Sequence, residues 1–254
     1  MSMLKKDKIK KWFKYFFYVW CTLALALALL LDLICGILYD PNKRDFNVAI
    51  IEQSIYFSVW VAALTSIFGL INWIHFHSKN MAKWMVGKNI HTSITTLNVL
   101  IFILFNVTFI VQKGDIIGFD TWYGRTKSII EHFITPIMVL TFYFIYQNEK
   151  VEDKVFIKKY CWFNLIFVTI YSFYIILRMI MLLKLEIETN ETLPLIPYPQ
   201  IDPTIVGYPL FITGTLCAIF GTVFISVFFN KMSNLNYSAI QKNLVENEAK
   251  KKIS

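Results

Sequence analysis

The stretch that decides the fold of this chain is residues 16–39, which read FFYVWCTLALALALLLDLICGILY. Its only charged residue is Asp32, and a helix of about 20 apolar residues is long enough to cross a bilayer. Comparable runs follow along the chain, at residues 53–77, 90–112, 128–147, 160–183 and 205–230. We therefore expect an all-α, polytopic membrane protein with six transmembrane helices.

The composition predicts the same fold class. Hydrophobic residues make up 56% of the 254 residues, and the mean hydropathy is +0.53, which is higher than in most soluble domains. Six spans with short connections leave no room for a second folded domain, so we expect a membrane domain at residues 1–230 and a polar tail at residues 231–254. The first run continues past Asp32 without a small-x-small cleavage site, which predicts a retained helix rather than a signal peptide.

The net charge of +8 is distributed unevenly over the predicted connections. Eighteen lysines lie in the N-terminal segment, the second and fourth connections and the C-terminal tail, whereas the other side carries six lysines and arginines. Cytoplasmic connections of membrane proteins carry the excess of positive charge. We therefore expect both termini in the cytoplasm and insertion in the plasma membrane. The charge is expected to meet anionic lipid head groups rather than nucleic acid.

The sequence has no spacing typical of a disulfide, metal or cofactor site. The cysteines lie singly in the predicted spans and are interpreted as small core residues: Cys21, Cys35, Cys161 and Cys217. No phosphate-binding loop, zinc motif or G-x-S-x-G nucleophile motif is present. We therefore expect no metal and no cofactor.

Ionisable residues occur inside or at the edge of four of the apolar runs, and they are Asp32, Glu52, Glu131, His132 and Arg178. The predicted topology places them all in the outer half of the membrane, with Asp32 roughly 10 Å below its outer end. A charge near the bilayer centre costs on the order of 2.5–3.5 kcal/mol, so it is expected to pair or to face a wet cavity. Asp32 and Arg178 lie at similar depths and form a candidate ion pair. Such a pair would either belong to a site or only lock two helices together.

His132 carries the strongest functional signal of this group. Pro136 follows four residues later and has no amide proton to offer the carbonyl of His132, which favours a distortion of the helix. An imidazole at such a distortion, next to Glu131 in sequence, is suited to proton transfer. The alternative is a histidine that serves only as a hydrogen-bonding residue between helices.

A second set of polar residues lies in the predicted inner half. His91, Thr95 and Asn98 follow an i, i+4, i+7 spacing, which puts them on one face of the third helix. His75 and His77 end the second helix but point to different sides, so they are not expected to share a metal. The inner face is interpreted as an interhelical hydrogen-bonding surface, and a transport path would need it.

Three short motifs follow one another along the chain, and they are Tyr56-Phe57-Ser58-Val59-Trp60, Glu131-His132-Phe133-x-x-Pro136 and Pro197-Tyr198-Pro199-x-x-Asp202. Their order resembles that of the androgen-induced/ADTRP-like membrane hydrolase superfamily, in its bacterial branch, over residues 45–230. The order is also similar to that of mycoplasma-type membrane protein families of unknown function. The third motif lies in a proline-rich loop, in which Tyr198 and Asp202 are predicted either to cap the outer site or to belong to a rigid connector.

The resemblance to the hydrolases implies a catalytic pair formed by a helix-2 threonine and a helix-4 histidine, with lipid esters of hydroxy fatty acids as substrates. The matching positions are Ser58, a serine in place of the threonine, and His132 as the base. Glu131 or Asp32 would orient or charge-stabilise the base. Arg178 would hold a head group or a fatty-acid carboxylate.

Three functions remain open from the sequence. The first is this intramembrane lipid-ester hydrolase. The second is a small transporter or permease whose site is formed by the same aspartate, glutamate, histidine and arginine side chains. The third is a non-enzymatic membrane component whose polar residues are structural. Membrane lipids are expected partners throughout, and a lipid or small-molecule substrate is expected in the first two cases.

Overall fold

The computed structural model describes residues 3–40, 45–111, 119–146, 149–185, 196–198 and 202–253. These residues are almost entirely helical, and no strand occurs among them, so the predicted all-α class is confirmed. The helices are α1 (Met3–Val19), α2 (Leu25–Tyr39), α3 (Phe46–Ser54), α4 (Phe57–Ser78), α5 (Lys83–Val86), α6 (Lys88–Val111), α7 (Trp122–Ile129), α8 (Thr135–Ile145), α9 (Asp153–Val155), α10 (Phe163–Lys184), α11 (Pro203–Val206) and α12 (Tyr208–Ile253). Short π-helical segments follow α1, α7 and α9, at Trp20–Ala24, Ile130–Ile134 and Phe156–Tyr160.

Within the described residues, six helical runs are long and apolar enough to span a membrane, which agrees with the predicted number. Their bounds are Ile9–Tyr39, Phe57–Ser78, Lys83–Ile110, Trp122–Ile145, Asp153–Lys184 and Tyr208–Lys242. The second run begins later than predicted because the chain leaves the helical conformation at Tyr56, and the preceding residues form the separate helix α3. The orientation of the two termini stays a prediction.

Helices α4 and α6 form the centre of the helix bundle. Within the apolar windows of these two helices, 50% and 44% of the residues are buried, compared with 11% for the last helix, α12. Both hydrophobic cores contain residues of α4 and α6: Phe57 and Leu97 belong to one core, and Phe68 and Ile94 belong to the other. Polar side chains on the buried faces of α4 and α6 are therefore shielded from lipid.

Helix α4 approaches the first membrane helix closely at Gly69. A Cβ atom at this position would lie 2.8 Å from the Cβ of Cys21 and 2.8 Å from the backbone nitrogen of Thr22. The hydroxyl of Ser66 also donates to the carbonyl of Thr22 at 2.8 Å. Such approaches are typical of small residues in membrane helices. On α12, by contrast, a Cβ at Gly221 would have no neighbour within 4 Å among the described residues.

The backbone changes its form where α7 passes into α8. Pro136 cannot donate to the carbonyl of His132, and the chain adopts a π-helical conformation over Ile130–Ile134. The amide of Thr135 donates to the carbonyl of Ile130, five residues back. The distortion predicted at His132 is therefore confirmed, and it takes the form of a π-helical segment. Single-turn π segments inside α-helices are frequent at functional sites.

Helix α12 passes without a break through residue 230, where the sequence predicted a boundary between a membrane domain and a tail. The side-chain amides of Asn230 and Asn234 both donate to the carbonyl of Val151, at 3.1 and 2.7 Å. Each also donates to the carboxylate of Asp153 at 2.8 Å. These contacts fix α12 against the connection that precedes α9, so the first residues of the predicted tail belong to the helix bundle.

Candidate functional site

Four titratable residues from α2 and from the α7–α8 helix come together at one end of the bundle, and we call them the acid–base cluster: Asp32, Lys127, Glu131 and His132. The ammonium of Lys127 lies 2.7 Å from Oδ2 of Asp32. Gln53 of α3 donates to the same oxygen at 3.2 Å. Lys127 also interacts electrostatically with Glu131, so one cation serves two carboxylates.

The cation that pairs with Asp32 is therefore Lys127 and not Arg178, the candidate partner suggested by depth in the membrane. Arg178 lies on α10 near aromatic hydroxyl groups, and its electrostatic neighbours include Tyr174 and Tyr56. The physical reason is the arrangement of the helices. Helix α7 packs against α2, so a side chain of α7 reaches the carboxylate of Asp32.

Lys127 is the member of the acid–base cluster that the sequence analysis does not single out. The apolar run begins at residue 128, so the lysine was assigned to the connection that precedes it, whereas the helix itself begins at Trp122. A sequence signal was present, because Lys127 and Glu131 are four residues apart and therefore lie on the same face of a helix. The spacing predicts that Glu131 lies beside the ammonium of Lys127. It does not predict that Asp32 of α2 lies there as well.

Glu131 is the most deeply buried member of the acid–base cluster, with 1% of its surface exposed. Neither of its carboxylate oxygens has a hydrogen-bond partner among the described residues. Its Oε2 atom lies 4.0 Å from Nε2 of His132. A carboxylate without hydrogen bonds that shares its cation with a second carboxylate is expected to attract a proton or another positive group.

His132 is also buried, with 9% of its surface exposed. Its ring is stacked on the ring of Phe105 of α6, with the centroids 4.0 Å apart and an angle of 11° between the planes. Its Nδ1 atom is buried and has no hydrogen-bond partner in the described part of the chain. The stacking fixes the ring, and Nδ1 is left available to exchange a proton with a bound molecule.

Ser58 lies in the first turn of α4 and is 8% exposed. The backbone amide of Phe57 donates to the hydroxyl of Tyr198 at 2.9 Å, and the amide of Ser58 is close to the same hydroxyl. Burial raises the pKa of Tyr198 to about 12, so this hydroxyl keeps its proton at neutral pH. Tyr198 also interacts electrostatically with Glu131, which connects the first turn of α4 with the acid–base cluster.

The two polar residues of the proline-rich loop have different positions. Tyr198 caps the first turn of α4 by accepting from the amide of Phe57, a contact that fits either of the two roles predicted for it. Asp202 instead caps α11, because its Oδ1 accepts from the amide of Thr204 at 2.8 Å. Residues 193–195 and 199–201 of this loop lie outside the described residues.

The predicted catalytic residues Ser58 and His132 lie on elements that contact each other, α4 and the π-helical segment Ile130–Ile134. No hydrogen bond joins their side chains in the described structure, because Nδ1 of His132 is without a partner and Nε2 faces Glu131. Catalytic hydrogen bonds are often long before a substrate binds. The elements that carry the two residues are therefore in contact, and no hydrogen bond joins the two side chains.

A line of polar side chains extends from Ser58 along the buried face of α4. Ser58, Thr65 and Asn72 are seven residues apart and are 8%, 0% and 4% exposed, and we call them the polar stripe of α4. Seven residues are about two helical turns, so the three share a face. In the middle of the stripe, Thr65 accepts a hydrogen bond from the amide of Asn98 of α6 at 2.8 Å. Asn98 belongs to the predicted inner polar face, so that face does form an interhelical hydrogen bond.

The histidines, cysteines and acidic residues outside the acid–base cluster form no recognisable cofactor site within the described residues. The described residues contain no group of three or more His, Cys, Asp or Glu side chains that could hold a metal ion. The four cysteines are free thiols. No family model, curated protein or solved structure matches the chain. What the site does must therefore be argued from its own geometry and chemistry.

Proposed function

We propose that the protein is a membrane-embedded hydrolase of lipid esters, with Ser58 as the nucleophile and His132 as the general base. The observation that carries this proposal is the connection between the first turn of α4 and the acid–base cluster through Tyr198. The chain supplies a buried hydroxyl in Ser58, an imidazole with an unpartnered nitrogen in His132 and a buried carboxylate in Glu131. These are the three kinds of side chain that acyl transfer to a serine requires.

The reaction would proceed in two acyl transfers. The Oγ of Ser58 attacks the ester carbonyl carbon, and its proton passes to Nδ1 of His132. The bond between that carbon and the alcohol oxygen then breaks, and His132 returns the proton to the departing alcohol. Water next attacks the acyl-serine by the same route, which releases the fatty acid and restores Ser58.

Two features of the site would stabilise the charges that develop. The positive end of the α4 helix dipole and the protonated hydroxyl of Tyr198 would favour negative charge on the carbonyl oxygen. Glu131, 4.0 Å from Nε2 of His132, would stabilise the imidazolium. Lys127 and Asp32 would hold Glu131 in place. Arg178 is proposed to bind a head group or a carboxylate of the substrate.

The cellular setting belongs to the same proposal. The uneven distribution of lysines supports an orientation with both termini in the cytoplasm, and we place the protein in the plasma membrane as part of the proposal. In that orientation the acid–base cluster lies in the outer half of the bilayer, where lipids of the outer leaflet can reach it. Membrane lipids would then be both the surroundings and the substrates of the protein.

Labelling with a fluorophosphonate lipid-ester probe tests this proposal on the purified protein in detergent. We expect the wild type to be labelled and Ser58→Ala and His132→Ala to lose labelling, because a fluorophosphonate reacts only with an activated hydroxyl. Ser66→Ala and His77→Ala are matched controls on α4 outside the site, and they should keep full labelling. Unlabelled wild type, or equal labelling of Ser58→Ala, would refute the assignment of the nucleophile.

A second function is favoured by a different observation, the polar stripe of α4. The stripe begins at Ser58 beside the cluster and ends at Asn72, and it is linked to α6 through Thr65 and Asn98. A small carrier would need polar groups at both depths and a protonatable carboxylate, and Glu131 meets the second requirement. We therefore propose proton-linked transport of a small polar solute as the alternative.

The alternative is tested by proton flux in liposomes loaded with a pH-sensitive dye. If the protein is a carrier, Glu131→Gln should abolish solute-driven proton movement, and Asn98→Leu should reduce it by breaking the bond to Thr65. Asn106→Leu, on the same helix and beyond the stripe, is the matched control. Flux that is the same in empty and protein-containing liposomes would exclude transport of the solutes tested.

A further inference from the structure

A cavity of about 100 Å³ lies at the end of the bundle opposite to the acid–base cluster. Its lining includes Lys14 of α1, Gly87 and Lys88 at the start of α6, and His91 one turn further on. Phe105, which stacks on His132, is 17 residues after Lys88 on the same helix, a distance of about 26 Å at 1.5 Å per residue. The cavity is therefore remote from the acid–base cluster and has no role in the proposed hydrolysis, although Asn72, the last residue of the polar stripe of α4, also lines it.

Two lysines give the cavity its charge. Lys88 is only 9% exposed, and its ammonium donates to Oδ1 of Asn234 at 2.8 Å, which holds it in one position. Lys14 is partly buried, with its ammonium 5.9 Å from the ring of Tyr18. Two acidic residues offset part of this positive charge, because Asp153 and Glu149 both interact electrostatically with Lys88. Glu149 is exposed and itself lines the cavity.

A third polar residue of the lining, His91, has a ring nitrogen without a partner. The Nε2 atom of His91 is buried and makes no hydrogen bond within the described residues. The imidazole is held between aromatic rings, with centroids 5.4 Å from Phe68, 5.2 Å from Phe142 and 5.3 Å from Tyr143. A buried polar nitrogen without a hydrogen bond is uncommon in proteins and is usually satisfied by a ligand or by water.

The start of α6 adds to the positive electrostatic potential of the cavity. The helix begins at Lys88, so the positive end of a 24-residue helix dipole lies at the cavity wall. Donors of this wall therefore come from two helices, Lys14 from α1 and Lys88 with His91 from α6. Donors that converge from different directions suit an anion with several oxygen atoms better than a single carboxylate, and phosphate groups are bound by such arrangements.

We propose that this cavity binds the phosphate group of an organic phosphate, held by Lys14, Lys88 and His91. Two sources carry this chemistry, a phospholipid head group and a soluble phosphate ester. Basic pockets between membrane helices on the cytoplasmic side bind lipid phosphates, and the predicted topology puts this cavity on that side. The aromatic rings beside His91 would contact the carbon skeleton that bears the phosphate.

Native mass spectrometry of the full chain, with increasing phosphatidylglycerol in one series and glycerol 3-phosphate in the other, tests the proposal. We expect saturable binding in at least one series. Lys14→Gln should weaken that binding roughly tenfold, the usual value of a charge-assisted hydrogen bond. Lys10→Gln, an exposed lysine one turn earlier on α1, is the matched control and should bind as the wild type does.

A second variant tests the proposal at an exposed residue, where a substitution is not expected to disturb folding. Glu149→Gln removes a negative charge from the cavity edge without touching a buried contact, so it should strengthen binding. Binding of phosphatidylglycerol alone would identify the lipid as the source, and binding of glycerol 3-phosphate would identify a soluble ester. Absence of saturable binding in both series, or equal binding by wild type and Lys14→Gln, would overturn the proposal. None of these outcomes depends on labelling of Ser58.

Discussion

The ammonium of Lys127 lies 2.7 Å from Oδ2 of Asp32, and this contact joins α7 to α2 inside the membrane domain. Asp32 and Glu131 together carry two negative charges when both are ionised, and among the described residues Lys127 is the cation placed against both. One ammonium group therefore serves two carboxylates. Substitution of this lysine is the most direct way to test how the cluster is held together.

Lys127→Met should destabilise the protein, because it leaves two carboxylates without their cation. Removing one partner of a fully buried pair costs about 3–5 kcal/mol, and the side chains of Lys127 and Asp32 retain 12% and 23% exposure. We therefore expect a smaller loss, on the order of 2 kcal/mol. Thermal unfolding in detergent, followed by helical circular dichroism, measures it.

A double-mutant cycle provides the control for this prediction. Asp32→Asn removes the paired charge from the other side, so the variant that combines it with Lys127→Met should lose less stability than the two single variants added together. Arg178→Met in place of Lys127→Met should show no such coupling with Asp32→Asn. Additive losses for Lys127 and Asp32 would mean that their contact contributes nothing to stability.

Ser58→Thr separates the chemistry of the nucleophile from its packing. A threonine side chain presents a hydroxyl at the same position as serine, so this variant should keep fluorophosphonate labelling at a measurable rate. The added methyl group enters a site that is 8% exposed, and a reduced rate is expected for this steric reason. Rates of labelling under equal probe concentration measure the effect. A complete loss in Ser58→Thr together with full labelling of Ser58→Ala would contradict a role for this hydroxyl.

Tyr198→Phe should affect stability and activity at once. The variant loses the hydroxyl that accepts from the amide of Phe57 at 2.9 Å, so the first turn of α4 loses a cap worth about 1 kcal/mol. Labelling of Ser58 should slow, because the proposed donor to the carbonyl oxygen is removed. Thermal unfolding and labelling rates give the two values, and unchanged labelling would exclude Tyr198 from the reaction.

The pH dependence of stability gives an independent check on Tyr198. Burial raises its pKa from the usual value of 10.0 to about 12, so the unfolded chain releases this proton at lower pH than the folded chain. The stability that the folded state gains from keeping this proton is therefore fully present below pH 10. It is lost as the pH rises from 10 towards 12. Over that range Tyr198→Phe should lose less stability than the wild type. Parallel losses in the two proteins would argue against burial of this hydroxyl.

Gly69→Ala and Gly221→Ala form a matched pair on two membrane helices. At Gly69 the new Cβ would lie 2.8 Å from the backbone nitrogen of Thr22, so the helices must move apart, at a cost of about 1–3 kcal/mol. At Gly221 the new Cβ has open space, and alanine favours the helix. Melting temperatures should fall for the first variant and stay within error or rise for the second. The reverse order would show that α4 does not pack as described.

Six helices could be predicted from the sequence because lipid leaves a chain little choice. Every backbone amide and carbonyl must be satisfied within the segment, so a long apolar run becomes a helix whatever its neighbours are. The distortion at His132 was equally predictable, since it follows from the proline four residues later. Both inferences depend only on residues that are close together in the sequence.

The partner of Asp32 could not be found in this way. Depth in the membrane suggests residues at the same level, but it does not tell which helix lies beside α2. The cap provided by Tyr198 raises the same difficulty, because it joins a loop to the first turn of a helix 141 positions earlier. Contacts of this kind depend on how the helices pack, and a single sequence carries little information about that.

Helix α12 runs unbroken from Tyr208 to Ile253, which are 46 residues. At 1.5 Å per residue it is about 69 Å long, whereas the hydrocarbon layer is about 30 Å thick. If α12 crosses this layer once along its normal, more than half of the helix lies outside the apolar layer. A fluorophore attached at Ile253 would then be held tens of ångströms from the lipid surface if the excess length projects on that side.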